Sequence, residues 1–178
     1  MTRALEWVRV AASMATVMAM AGCAGVGAAV RADERVRLEP GEALVALRVR
    51  SEDFIGGLTF CEQENTNACF DVEGLESRDD VQVMRVPSGR FCLAEVALIR
   101  ANTGMRASHL TEGVVCFDAA PGVLNDPGRL VISTGGASEV IAGIGYEWEP
   151  AGLEAVHAGY PRLAELEVRA RLGVVLRR

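Results

Sequence analysis

Glu42-Ala43-Leu44-Val45-Ala46-Leu47-Arg48-Val49-Arg50 sorts its side chains into two sets, Ala43, Val45, Leu47 and Val49 against Leu44, Ala46, Arg48 and Arg50. A period of two over this length is a strand signal, because successive side chains of a β-strand point to opposite faces. The same grammar continues along the chain. Residues 57–61 and 69–72 predict the two arms of a hairpin, and 80–86 predict a further strand that turns at Pro87-Ser88-Gly89. In 90–100, Phe91, Leu93, Ala97 and Ile99 oppose Cys92, Ala94, Val96 and Leu98, with Glu95 the exception. A segment apolar on both sides belongs in the middle of its sheet.

Strands are also predicted at 113–119, 128–134 and 138–148, separated by Pro121-Gly122 and by the hairpin signal Gly135-Gly136. The last of them places Val140, Ala142, Ile144, Tyr146 and Trp148 on one face. After Glu149 the pattern changes. Pro150 suits a first helical turn, Leu153 and Val156 share a face, and Gly159 with Pro161 suits a stop, so a short helix is expected near 150–158. From Leu163 the tail combines helix-favouring composition with alternation at Leu166, Val168, Ala170 and Leu172, and is expected to be helical first and extended at its end. Seven or eight short strands with turn signals between them predict a mainly β chain: an antiparallel two-sheet sandwich with a short C-terminal helix. The expected organisation is a signal segment over 1–22, a flexible tether over 23–40, the sandwich over 41–148, and a helix and tail over 149–178.

The chain has 178 residues and 24 acidic against 18 basic side chains, a net charge of −6. An acidic chain gains nothing from a phosphate backbone, so nucleic acid is not an expected partner. Only 5% of the residues are aromatic, and the core must rest on Val, Leu, Ile and Ala.

The N-terminus carries an address. Arg3 and Arg9 form a basic leader, 10–21 is an uncharged small and apolar run, and the run ends in Met20-Ala21-Gly22-Cys23. The run is too short for the roughly 20 residues of a membrane-spanning helix and suits a signal peptide. Its end resembles the lipobox of bacterial lipoproteins, with Met20 where Leu is usual. The resemblance implies cleavage between Gly22 and Cys23 and acylation of Cys23, which would make membrane lipid a partner. In a Gram-negative host, Ala24 rather than Asp after the Cys implies the outer membrane, with the domain facing the periplasm. The alternative is an ordinary secretory signal cleaved near Ala19-Met20-Ala21, giving a free periplasmic or secreted protein.

With Cys23 set aside, Cys61, Cys69, Cys92 and Cys116 remain, an even number suited to disulfides in an oxidising compartment. Four cysteines allow three pairings. Cys61 and Cys69 bracket a polar tip flanked by Phe60 and Phe70, which favours Cys61–Cys69 together with Cys92–Cys116. In loop-entropy terms the two closures would constrain the unfolded chain by about 2.5 and 3.5 kcal/mol. The spacings match neither a zinc site nor a Cys-x-x-Cys redox pair.

Val86-Pro87-Ser88-Gly89-Arg90-Phe91-Cys92-Leu93 resembles a strand entry of transthyretin-like and carboxypeptidase-regulatory-like β-sandwiches. Phe117-Asp118-Ala119-Ala120-Pro121-Gly122-Val123 followed by Gly128-Arg129-Leu130-Val131, and Tyr160-Pro161 with Leu163, are similar to signatures of uncharacterised lipoproteins with that sandwich. Leu124-Asn125-Asp126-Pro127 stands where that pattern carries an aromatic residue. The resemblance implies a fold and an address, with no activity attached.

Catalytic groupings are sparse. The two histidines are His109 and His157, there is no Gly-x-Ser-x-Gly elbow or His-Glu-x-x-His, and the glycines at 135–145 do not precede a helix. Ser108 adjoins His109, but neighbours in sequence point in different directions; Ser88 or Ser133 are the serines left for a Ser/His/Asp arrangement, and His157 suits a favourable charge at a helix end. Glu62, Glu64, Asn65 and Asn67 supply oxygen ligands at the hairpin tip but lack a calcium-loop pattern. Asp71, Glu73, Glu76, Asp79 and Asp80 suit a solvated linker. The expectation is therefore a non-enzymatic, lipid-anchored envelope module with no metal or cofactor and with an envelope protein as possible partner. The alternative is an envelope hydrolase or glycan-processing accessory.

Overall fold

The computed structural model describes residues 27–51, 54–65, 67–75, 79–100, 104–109, 114–134, 141–149 and 151–176. The expected signal segment with Gly22 and Cys23 lies outside these residues, as does the Gly135-Gly136 turn.

In chain order the strands begin β1 (Ala28–Ala29), β2 (Glu42–Ser51), β3 (Phe54–Glu62), β4 (Cys69–Glu73), β5 (Asp79–Pro87) and β6 (Gly89–Arg100). They continue β7 (Gly104–His109), β8 (Val114–Ala119), β9 (Leu124–Asp126), β10 (Arg129–Thr134) and β11 (Ile141–Glu147). One helix, α1 (Gly152–Gly159), and a 3-10 turn at Pro161–Leu163 precede β12 (Val168–Ala170) and β13 (Val174–Leu176). The first sheet runs β1-β5-β2-β10-β11, with β9 beside β2 and β12 beside β9; the second runs β13-β8-β6-β3-β4, with β7 also on β6. The fold is the expected two-sheet sandwich with a short helix.

The two side-chain sets of β2 explain how the layers stack. Ala43, Val45, Leu47 and Val49 enter the main core, where they meet Leu58, Phe60, Phe91, Leu93 and Phe117 of the second sheet. Leu44 and Ala46 face the other way, into a smaller core built with Val30, Val83, Leu124, Val156 and Leu163. A strand covered on both faces is a central strand, and β2 lies between β5 and β10. Each fully buried Leu or Phe of these layers stabilises the fold by roughly 1.5–3 kcal/mol.

Most ladders are antiparallel, but β2 runs parallel to both β10 and β9, and β12 runs parallel to β9. Parallel neighbours need a long crossover. Here β3, β4, β6, β7 and β8 lie between β2 and β9 in the chain, so most of the second sheet serves as that connection.

Two segments depart from expectation. The stretch expected as a free tether, 23–40, is held on the first sheet from Ala28 onward. Ala28 and Ala29 pair with Arg85 and Met84, Val30 is buried, and its N–H donates to the Val83 carbonyl at 2.8 Å. Val36 and Leu38 then pack on the smaller core. Those three apolar residues cover a sheet face that would otherwise meet water, and the charges among them hide the pattern. The C-terminal tail also belongs to the sandwich. It is not helical after α1 beyond the 3-10 turn, and β12 and β13 join opposite sheets. Gly128 makes that crossing possible, because it has φ +91° and a Cβ there would lie 2.7 Å from Leu172 Cδ1.

Candidate functional site

Arg48 is the one charged member of the outward set of β2 to be fully buried, at 1% exposure. Its Nη2 lies 3.0 and 3.1 Å from the two carboxylate oxygens of Asp126, and its Nη1 lies 3.2 Å from Glu149 Oε2. Arg129 pairs with the same Glu149 oxygen, and the Gly128 N–H donates to Asp126 Oδ1 at 3.0 Å. Two cations and two anions balance. That balance is what makes the site tolerable, since a buried charge without a partner costs several kcal/mol.

Next to it, the Asn125 amide donates to the carbonyls of Leu44 and Ala120 and accepts from the Ala120 N–H. Leu124-Asn125-Asp126-Pro127 is thus a polar pin joining β2, β9 and the turn before it. Asp126 is as buried as Arg48. The Arg48–Asp126 pair is closed to solvent while Glu149 at its edge is 35% exposed, and the chemistry of the group is that of a clamp.

The outer face of the second sheet holds the four cysteines. Cys61 is bonded to Cys69 and Cys92 to Cys116, each pair directly opposed across its ladder. On the inner face beneath them, Phe60, Phe70, Phe91 and Phe117 pack with ring centroids 5.3–5.9 Å apart. Two residues along from the second disulfide, Arg90 Nε donates to Asp118 Oδ1 at 2.7 Å, and Arg171 reaches Asp118 from the tail at 2.9 Å. The Arg90 hydrogen bond, reinforced by the charges of Arg90 and Arg171, holds the Asp118 carboxyl below the usual carboxylate range against a smaller upward push from burial.

Apolar surface is open at one corner. Trp148, Leu172, Val174, Val175 and Leu176 are 38–49% exposed. Leu172 Cδ1 and the Glu147 carbonyl both lie within 3 Å of the Cβ position of Gly128, and a Cβ on Gly173 would meet the Tyr146 ring. The start of the tail therefore sits against the end of β11, beside Trp148. Among the described residues β13 has a ladder with β8 alone, which makes it an edge strand of the second sheet. A separate open cleft of about 710 Å³ is lined by Arg35, Val36, Pro161, Arg162, Glu165 and Leu166.

The sequence-predicted residues are scattered rather than gathered. His109 ends β7 opposite Glu95 in the second sheet, whereas His157 rides on α1 over the first, with Nε2 unpaired among the described groups. Ser88 sits in the turn between β5 and β6, and Ser133 on β10. At the hairpin tip Asn65 accepts from the Asn67 N–H, a local turn contact. Among the described residues no group of three or more His, Cys, Asp or Glu converges as a metal site. Gly22 and Cys23 are outside the described residues. The Arg48–Asp126 clamp was not anticipated; its sequence signal is an Arg that follows Leu44 and Ala46 on one face of a strand apolar on the other, together with Asn-Asp-Pro in place of an apolar link.

Comparison with models of protein families, with curated proteins and with solved structures finds no match to this chain.

Proposed function

We propose that this chain is a lipid-anchored cell-envelope binding module, tethered through acylated Cys23 to the periplasmic face of the outer membrane. It docks an envelope protein by strand addition at the free edge of β13. The address is supported by the order of basic leader, apolar run and Met20-Ala21-Gly22-Cys23, and by four further cysteines suited to an oxidising compartment. The likeness to transthyretin-like lipoproteins belongs to the same reading and rests on the short motifs at 86–93, 117–123 and 128–131.

The binding role rests on one observation: an edge strand whose three residues are all apolar and all more than a third exposed. Soluble domains blunt such edges with charge, Pro or cover, because an open edge is a template for another strand. Strand addition takes affinity from main-chain hydrogen bonds and specificity from alternate side chains. The partner that fits is an extended, apolar segment of a second protein.

Two measurements test the proposal. Intact mass and N-terminal peptide analysis of membrane-extracted protein, beside Cys23→Ser, should find an acylated Cys23 in the wild type and release of the variant into the soluble fraction. An unmodified N-terminus elsewhere overturns the anchor. A photo-crosslinking residue at Val175 should yield a crosslink to an extended segment of another envelope protein, and the same residue at exposed Glu154 should not. Equal yields at the two positions, or crosslinks only between copies of this chain, overturn the docking role.

A further inference from the structure

Beyond the anchor and the docking edge, the four paired cysteines form a single row. Cys69 opposes Cys61 in the β3–β4 ladder, Cys61 opposes Cys92 in β3–β6, and Cys92 opposes Cys116 in β6–β8. Directly opposed residues share a face of the sheet, so all four side chains project from its outer side in the order 69, 61, 92, 116. The two disulfides occupy the end links of the row and leave the middle one, Cys61 to Cys92, unbonded. Opposed Cα atoms of an antiparallel ladder stand about 4.5–5.5 Å apart, within the roughly 4.4–6.8 Å that a disulfide spans.

We propose that this row is a disulfide relay, in which reduction at the hairpin end is passed inward to Cys116. Thiol–disulfide exchange begins with attack of a thiolate on one sulfur of a disulfide. It proceeds in line, with the leaving sulfur on the far side. A row of opposed cysteines supplies that alignment, since Cys61 stands beyond the Cys92 end of the Cys92–Cys116 bond.

The reductant is an external dithiol. One of its thiolates attacks Cys69 Sγ, the Cys61–Cys69 bond breaks, and Cys61 leaves as a thiolate. Cys61 Sγ then attacks Cys92 Sγ. A Cys61–Cys92 bond forms, Cys92–Cys116 breaks, and Cys116 leaves as a thiolate and takes up a proton. The second thiol of the reductant resolves the mixed disulfide at Cys69 and is itself oxidised to a disulfide. One protein disulfide has been reduced, and the two thiols lie at the ends of the row.

The hairpin end is the more open end of the row. Cys61 and Cys69 are half-buried beside the exposed tip residues 63–65 and 67, Cys92 is half-buried within the sheet, and Cys116 is fully buried opposite Val174 of β13. A reductant that cannot reach Cys116 would still free it.

The test is partial reduction of the oxidised full chain carrying Cys23→Ser, so that no fifth thiol takes part. Samples treated with one equivalent of a small dithiol are quenched with acid over a time course, alkylated and mapped without further reduction. The expected result is that the most abundant one-disulfide form links Cys61 to Cys92, with Cys69 and Cys116 alkylated. A time course in which that form never exceeds the form retaining Cys92–Cys116 overturns the relay. The Cys69→Ser variant gives an independent reading: Cys61–Cys92 should predominate over Cys92–Cys116, and the reverse overturns it.

Discussion

The guanidinium of Arg48 fills the space in which a side chain of residue 152 would begin. A Cβ on Gly152 would lie 1.5 Å from Arg48 Nη1, so the start of α1 is seated directly on the buried cation. Gly152→Ala must therefore displace the guanidinium from Asp126 or lift the helix, at an expected cost of about 1–3 kcal/mol. Gly159 ends the same helix with nothing near its Cβ position. Gly159→Ala should be neutral or stabilising by up to about 1 kcal/mol. Urea unfolding of the two variants checks the contrast.

Removing one member of the clamp should cost more than removing two. Asp126→Ala leaves the buried Arg48 with Glu149 as its remaining carboxylate partner among the described residues and frees the Gly128 N–H. The expected loss is about 3–5 kcal/mol. Adding Arg48→Met removes the stranded charge and should restore part of that loss. A double-mutant cycle by denaturant unfolding reads the coupling, and strict additivity of the two losses would contradict it.

Acid should weaken the strap across the second sheet. The carboxyl of Asp118 is held below its ordinary range, chiefly by the hydrogen bond from Arg90. A depressed folded-state value contributes stability that is present above the unfolded value, about 3.9 for Asp, and is lost as pH falls through the folded value. Asp118→Asn should thus be less stable than the wild type at pH 7, and the gap should close as pH falls below about 4. Added salt should also narrow it, because the pair is partly exposed. Denaturant unfolding at several pH values measures both trends.

Tyr146 presents the opposite sign. Its ring packs against Gly173, its hydroxyl has no hydrogen-bond partner among the described residues, and burial pushes its phenol well above the ordinary value. Tyr146→Phe keeps the ring and removes a buried orphan group, so it should be neutral or stabilising by about 1–2 kcal/mol. A raised folded-state value means stability is lost as pH rises past the unfolded value of about 10. The Phe variant should therefore resist alkaline unfolding better than the wild type, which a pH series of thermal melts reads directly.

Much of the sandwich was legible because its long strands carry a period of two. The alternation of 42–50 assigned both faces of β2, and the apolar faces of 90–100 placed β6 in the interior of its sheet. The cysteines were legible for a related reason: each sits beside a Phe that points inward, so the polar tip between Phe60-Cys61 and Cys69-Phe70 marks a hairpin. The matching pair Phe91-Cys92 and Cys116-Phe117 carries the same sign at longer range.

What escaped was decided far along the chain. β1, β9, β12 and β13 are two or three residues long, too short for any period, and they exist because a distant strand leaves an edge to be paired. Arg48 and Asp126 are 78 residues apart, and no local pattern couples them. The parallel run of β2 beside β10 likewise follows from how the second sheet returns the chain.

The pairing of Ala28 and Ala29 with β5 has a mechanical consequence for the proposed anchor. Only five residue steps separate Cys23 from Ala28, and five extended residues reach at most about 18 Å. With Cys23 acylated, the domain is on a short leash, and the β1 edge of the first sheet becomes its membrane-proximal side. The domain then hangs from one rim instead of sweeping a wide volume.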